Sequence, residues 1–252
     1  MRDVAEALDG GIVEIVAGAG FGKTTLLLQA LERAGIPVAW VSVDSTLADP
    51  GMLFSAIKQS LARVAPGFAA SVPLQGPPAV QANALGNEAV EVLTGQVVLA
   101  LDDVHLLGDQ ASTLLAILRS ALPDNVHLAT TSRQEIRGDW LRLALSGSRV
   151  GTEDLRFSAS EVAPLLGPSA SAVTAEDLVR QTEGWITGLV LAARSQQRSG
   201  IEIRSSSLDY LAQEVLSDLP PETIRFLEDT SVLDRLTPDL AAAVAEGSHD
   251  AV

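Results

Sequence analysis

Short apolar runs alternate with segments of helical periodicity through residue 155 or so. IVEIV (12–16) reads as a short buried strand, and VAWVSV (38–43) as a second, rich in β-branched and aromatic residues. VVLAL (97–101) and VHLATT (126–131) are a third and a fourth, and a short fifth is expected near 149–151. VVLAL has no polar break, the pattern of a strand covered on both faces in a parallel sheet. Between these runs, Leu26, Leu27, Leu28 and Leu31 mark a helix over 24–32. Leu53, Phe54, Ile57, Leu61 and Val64 recur at helical spacing after Asp49-Pro50, a capping side chain followed by proline at the first helical position. Leu114, Leu115, Ile117, Leu118 and Leu122 mark another helix. The uncharged stretch 64–87 is long enough to cross a bilayer, but it carries Pro66, Pro73, Pro77 and Pro78 with several Gln and Asn. It reads as a loop, with a helix near 88–93 after it. Strands alternating with helices imply a three-layer α/β domain around a parallel sheet.

Strand signals cease after Arg156. Residues 160–166, 174–182 and 188–194 read as helices, 195–207 (SQQRSGIEIRSSS) as a linker, and 208–216, 221–227 and 238–244 as further helices. The expected organisation is an α/β domain over 1–155, a helical domain over 156–200 and a third unit over 201–252.

Composition narrows the chemistry. With 17 basic and 32 acidic residues the net charge is −15, which argues against the chain gripping a nucleic-acid backbone unaided. The absence of cysteine excludes disulfides, thiolate metal sites and cysteine nucleophiles. His105, His127 and His249 are too scattered to suggest a zinc site. The opening MRDVAEALDGG is acidic where a signal peptide needs a basic start and an apolar run, so a cytoplasmic protein without a membrane span is expected.

The strongest motif is AGAGFGKTT, Ala17 to Thr25. It fits G-x-x-x-x-G-K-[ST] except for Ala17 in place of the first glycine, an outer turn position where a methyl is accommodated. A strand precedes it and a helix follows, as phosphate binding requires. The loop Ala17, Gly18, Ala19, Gly20, Phe21, Gly22 would cradle phosphates, with backbone N–H groups of Gly20, Gly22 and Lys23 around the β-phosphate. The helix N-terminus favours the same anion. Lys23 would reach the β- and γ-phosphates, Thr24 would place its hydroxyl on Mg²⁺, and Thr25 would meet the α-phosphate. Lysine occurs only at 23 and 58, so its presence here is informative.

A second element is the strand end VVLALDD. Asp102 is placed to hold Mg²⁺, and Asp103 to orient or deprotonate an attacking water. Alone, two aspartates at a strand end also read as caps of the next turn; paired with the glycine loop, the metal reading prevails. In TTSR (130–133), Arg133 sits where a cation would sense the γ-phosphate, or is a surface arginine on a loop. His105 reads as a loop residue, and Trp40 and Trp140 as packing rather than as adenine stacking.

Taken in order, AGAGFGKTTLL, WVSVD, LALDDVHLL, TTSR, EDLRFSASEV, TEGWITGLVLAA and LAQEVLSDLPPETIRFLEDTSVLDRLTPDL resemble the STAND class of signal-transduction ATPases. More specifically they resemble the large ATP-binding LuxR-type, MalT-like regulators. The resemblance runs along nearly the whole chain. It implies a P-loop NTPase fold, a parallel sheet with helices on both faces, followed by an all-α helical domain and a partial winged-helix domain. ATP or ADP with Mg²⁺ would sit between these modules. In such proteins ADP keeps the molecule closed, and signal plus ATP opens it for self-association. Gly184-Trp185-Ile186 takes the place of the family's base-contacting G-x-P motif, with Ile186 where the family has proline. Trp185 therefore reads either as a nucleotide contact or as a helix-packing tryptophan. The family's sensor array and DNA-binding helix-turn-helix have no counterpart here, so the chain is expected to be one module of a longer regulator that meets DNA only through its other domains.

Two other readings compete with a switch. One is an AAA-like ATPase with true turnover, although Asp103 stands where such motors usually carry glutamate. The other is an interaction module with a vestigial nucleotide site.

Overall fold

The computed structural model describes residues 11–69, 75–166, 175–190, 220–231, 237 and 240. The expected linker 195–207, the helix 208–216 and most of 238–244 lie outside the described residues. The strands are β1 (Ile12–Val16), β2 (Val38–Ser42), β3 (Pro66–Ala69), β4 (Val97–Asp102), β5 (Val126–Ser132) and β6 (Ser148–Val150). All but β3 join one sheet in the order β2-β4-β5-β1-β6, and every pairing is parallel. Val16 lies opposite Ser132, and Ser42 opposite Asp102. The carboxyl ends of β1, β4 and β5 therefore share one edge, where open α/β sheets place their ligands.

Helices α1 (Lys23–Ala34), α2 (Pro50–Val64), α3 (Pro78–Val92) and α4 (Ala111–Ala121) cover the sheet. Alternation along the strands sorts the core into two layers. Leu99, Leu101 and Leu128 pack with Leu53, Phe54 and Ile57 of α2, Leu85 of α3, Leu114, Leu115 and Leu118 of α4, and Trp140. Val13, Ile15, Val98, Ala100 and Ala129 pack with Leu27, Ala30 and Leu31 of α1 on the other face. Every residue of β4 is buried, as its unbroken apolar run requires.

Asp49 caps α2 as its sequence suggests: its Oδ1 accepts from the Met52 N–H at 3.0 Å, and Pro50 fills the first turn. The described part of the stretch 64–87, residues 64–69 and 75–87, is not the loop expected there. It holds β3 and the first ten residues of α3, which begins at Pro78 rather than near 88. Proline at a first helical position starts a helix instead of breaking one. Within α3, Gly86 meets the carbonyl of Ala121; a Cβ there would lie 2.0 Å from that oxygen. The short helix α5 (Asp139–Ala144) and the 3-10 turns Ser45–Ala48 and Val104–Gln110 are additions that the periodicity did not reveal.

Beyond the sheet come α6 (Thr152–Leu155), α7 (Ala159–Leu166), α8 (Ala175–Thr182) and helical residues 186–190. Val162, Ala175, Leu178 and Leu189 form a small core there, with Phe157 against it. The chain turns between α8 and 186–190 through Glu183 and Gly184, at φ +51° and +75°. Gly184 is glycine for a second reason: a Cβ would lie 2.7 Å from the Phe157 carbonyl oxygen. The chain divides into two compact units, 1–194 and 195–252. In the second, α9 (Pro221–Thr230) starts behind Pro220.

Candidate functional site

The loop between β1 and α1 is shaped by its glycines. Gly20 and Gly22 have φ +71° and +82°, in the left-handed region that side chains disfavour. Ala17 is buried, and its N–H donates to the Ser132 carbonyl at 3.1 Å, which extends the β1–β5 pairing into the loop. Phe21 packs against the core beneath α1. Lys23 opens that helix with only 6% of its surface exposed, and its Nζ donates to the Gly18 carbonyl at 3.1 Å. The first intrahelical bond is Leu26 N–H to the Gly22 carbonyl at 2.8 Å. The amides of Lys23, Thr24 and Thr25 thus precede the helical ladder. A nearly buried ammonium beside helix-terminal N–H groups is an arrangement suited to an anion.

Next to it lies an oxygen-rich site. The Thr24 hydroxyl donates to both Asp102 carboxylate oxygens, at 2.9 and 3.1 Å, across a separation of 78 residues. Thr131 of β5 donates its hydroxyl to Asp102 Oδ1 at 2.5 Å and accepts the Asp103 N–H at 2.8 Å. Asp103 adopts φ +61°, turning the chain out of β4. His105 lies beside it, with Nδ1 3.7 Å from Asp103 Oδ1, and the Arg133 N–H donates to the same Nδ1 at 3.4 Å. The structure thus brings Thr24 against Asp102, and Asp103 near the Arg133 main chain through His105. Among the described residues no group of three His, Cys, Asp or Glu side chains is placed to hold a metal ion. Thr24 and Asp102 offer hard oxygens suited to Mg²⁺, which typically takes its remaining ligands from water and phosphate.

Trp185 lies against the loop. Its indole N–H donates to the Ala19 carbonyl at 2.9 Å, and the Thr187 hydroxyl donates to the Gly20 carbonyl at 2.8 Å. Thr25, the remaining loop residue of interest, is exposed on α1.

Sequence reasoning overlooked three residues. Thr131 lay inside TTSR, where attention fell on Arg133; a hydroxyl on the strand beside an acidic strand end was the available signal. Thr187 carried no signal apart from its nearness to Trp185. Glu14 is a lone acid within IVEIV, and it is fully buried. Its Oε1 accepts from the Trp140 indole at 2.7 Å, and Oε2 lies 3.1 Å from Arg149 Nε. Arg149 also pairs with Glu135 at 2.8 Å. Burial pushes the Glu14 carboxyl up from its ordinary pKa, against the opposing pull of Trp140 and Arg149.

Residues 212–251 match the family model of the MalT winged helix domain. The chain is 29% identical over 266 residues to the serine/threonine-protein kinase PknK of Mycobacterium tuberculosis, covering 93% of this chain and 23% of that protein. It is 29% identical over 263 residues to the HTH-type transcriptional regulator MalT of Vibrio cholerae, covering 93% of this chain and 28% of that one. It therefore spans about a quarter of the length of these curated relatives. The Walker-type ATPase PABY2304 of Pyrococcus abyssi shares the fold, with a TM-score of 0.52 at 15% identity over 97% of this chain and 86% of that one. Among the described residues no helix is long and apolar enough to cross a membrane. By its winged-helix match, its similarity to PknK and MalT along most of its length and its parallel sheet, the chain has the fold of P-loop ATPases and is similar to the MalT-type regulators.

Proposed function

We propose that this chain is the ATP/ADP-binding switch of a cytoplasmic LuxR-type transcriptional regulator, in which slow Mg²⁺-dependent ATP hydrolysis controls self-association. The observation that carries the reading is the contact of Thr24 with Asp102 immediately beside the nearly buried Lys23. It joins a cation-binding oxygen pair to an anion-binding loop, the combination that a magnesium nucleotide needs.

In this reading residues 17–22 form a Walker A loop whose amides hold phosphate, and Lys23 neutralises the β- and γ-phosphates. Thr24 and Asp102 would hold Mg²⁺, which supplies charge neutralisation between those phosphates. Thr25 meets the α-phosphate. Asp103 orients the attacking water and accepts its proton. Arg133 reports on the γ-phosphate. A ligand moves a two-state equilibrium only through differential affinity, so a contact made to ATP and not to ADP is required. Arg133 is assigned that contact. Residues 1–155 bind nucleotide, 156–200 form a helical domain and 201–252 begin a winged-helix domain. DNA is reached through domains of the longer regulator.

The test is nucleotide titration of the purified chain and of Lys23→Ala. The expected result is ADP and ATP binding that Lys23→Ala weakens by about tenfold or more, with turnover far below the roughly 1–10³ s⁻¹ of ordinary enzymes. Equal affinity in the two proteins would favour the vestigial-site reading, and fast turnover the AAA-like motor.

A further inference from the structure

The two hydrogen bonds from 185–187 to the phosphate loop do more than pack a helix. Ala19 and Gly20 offer their carbonyls outward, to the Trp185 indole and the Thr187 hydroxyl. In a trans peptide the carbonyl and the following N–H point in opposite directions. A donor that pins the Ala19 carbonyl therefore fixes the direction of the Gly20 N–H, and one that pins the Gly20 carbonyl fixes the Phe21 N–H. These amides belong to the loop that wraps an anion, and they face away from the side on which Trp185 and Thr187 stand.

Gly20 is part of the same device. Beyond its positive φ, a Cβ there would lie 2.6 Å from Thr187 Oγ1 and 2.8 Å from Trp185 Nε1. Its bare backbone admits both donors. The donors are themselves held in place: the Phe157 N–H donates to the Gly184 carbonyl at 3.0 Å, and Trp185 N–H to the Thr182 carbonyl at 2.9 Å.

Building on the nucleotide reading above, we infer that Trp185 and Thr187 are positioning residues for the phosphate loop, orienting its Gly20 and Phe21 amides toward the anion from outside. The indole N–H is spent on the loop backbone rather than on a base. By linkage the effect is reciprocal: phosphate in the loop strengthens docking of 184–187, and release of that segment loosens phosphate. Preorganised amides bind an anion more tightly than mobile ones, because less ordering accompanies binding.

The test measures ADP and GDP affinity by calorimetric titration of the chain and of Trp185→Phe, Thr187→Val, Thr187→Ser and Lys23→Ala. Thr187→Val deletes its donor with little change of shape, and Trp185→Phe deletes the indole donor while keeping an aromatic ring. Each is expected to weaken ADP by about fivefold or more, while Thr187→Ser, which keeps the hydroxyl, stays within about twofold of the parent. The ADP-to-GDP preference stays unchanged in all of them. Parental ADP affinity in both Trp185→Phe and Thr187→Val would overturn the inference, provided that Lys23→Ala still loses binding. An equal loss in Thr187→Val and Thr187→Ser would overturn it too, since the hydroxyl would then be irrelevant. A Trp185→Phe protein that loses ADP but not GDP would make the indole a base contact, against the inference. If the parent binds no nucleotide at all, the nucleotide reading fails and the inference falls with it.

Discussion

Thr131 holds Asp102: its hydroxyl reaches Asp102 Oδ1 at 2.5 Å from the neighbouring strand, and so sets the carboxylate that Thr24 also meets. The same hydroxyl accepts the Asp103 N–H, which steadies the left-handed turn out of β4. One buried side chain thus orders both acids. Thr131→Val keeps the shape and removes the hydroxyl. It should cost about 1–3 kcal/mol in a urea denaturation, because Asp102 Oδ1 loses one of its two donors and the Asp103 N–H loses its acceptor. It should also lower the Mg²⁺-dependence of nucleotide affinity. Unchanged stability and an unchanged Mg²⁺ response would contradict this role.

Arg133→Ala should narrow the ratio of ATP to ADP affinity and leave ADP affinity within about twofold. Parallel titrations with both nucleotides measure it. A large loss of ADP affinity would show that Arg133 supports the loop instead of reading the γ-phosphate.

Glu14 makes a prediction in pH. Burial raises its carboxyl pKa in the folded chain, so the folded state keeps the proton to higher pH than the unfolded state does. Its stabilising share is present at low pH and is lost as pH rises from about 4.3 through the folded value. Trp140, Arg149 and Glu135 are the groups that face it or bear on its charge. Glu14→Gln keeps an oxygen for the Trp140 indole and cannot ionise. It should flatten the fall in stability that sets in as pH rises above the ordinary carboxylate pKa of about 4.3 in urea denaturation. A steeper fall would mean that the Arg149 pairing outweighs burial.

Gly86→Ala tests the close approach of α3 to the end of α4. Alanine is the better helix former by about 1 kcal/mol. Its methyl would nevertheless lie 2.0 Å from the Ala121 carbonyl oxygen, a backbone atom that cannot rotate away. Net destabilisation of about 1–3 kcal/mol is expected from thermal or chemical unfolding. A stabilised variant would show that the helices separate at little cost.

The parallel sheet and the glycine-rich turn between β1 and α1 were legible because their signals are local. VVLAL can hardly be anything but a doubly covered strand, and AGAGFGKTT carries its strand and helix with it. The start of α3 was missed because Pro77-Pro78 in an uncharged stretch looks like a break, whereas Pro78 occupies the first turn of a helix. α5 spans only six residues, too few for a period to declare itself. Side-chain contacts were the least legible. Thr24 with Asp102, and Trp185 with Ala19, join residues 78 and 166 positions apart, and no spacing rule links such pairs. Glu14 is hidden for the same reason: its partners Trp140 and Arg149 come from the far end of the α/β region.

The nucleotide carried by the freshly purified chain bears most directly on the switch. The protein is denatured, and the released small molecules are resolved by ion exchange against ADP and ATP standards. Near-stoichiometric ADP is the predicted result, since a resting switch retains its product in the loop whose amides Trp185 and Thr187 hold from outside. A chain that carries no nucleotide and takes up neither ADP nor ATP on titration with Mg²⁺ would contradict the account.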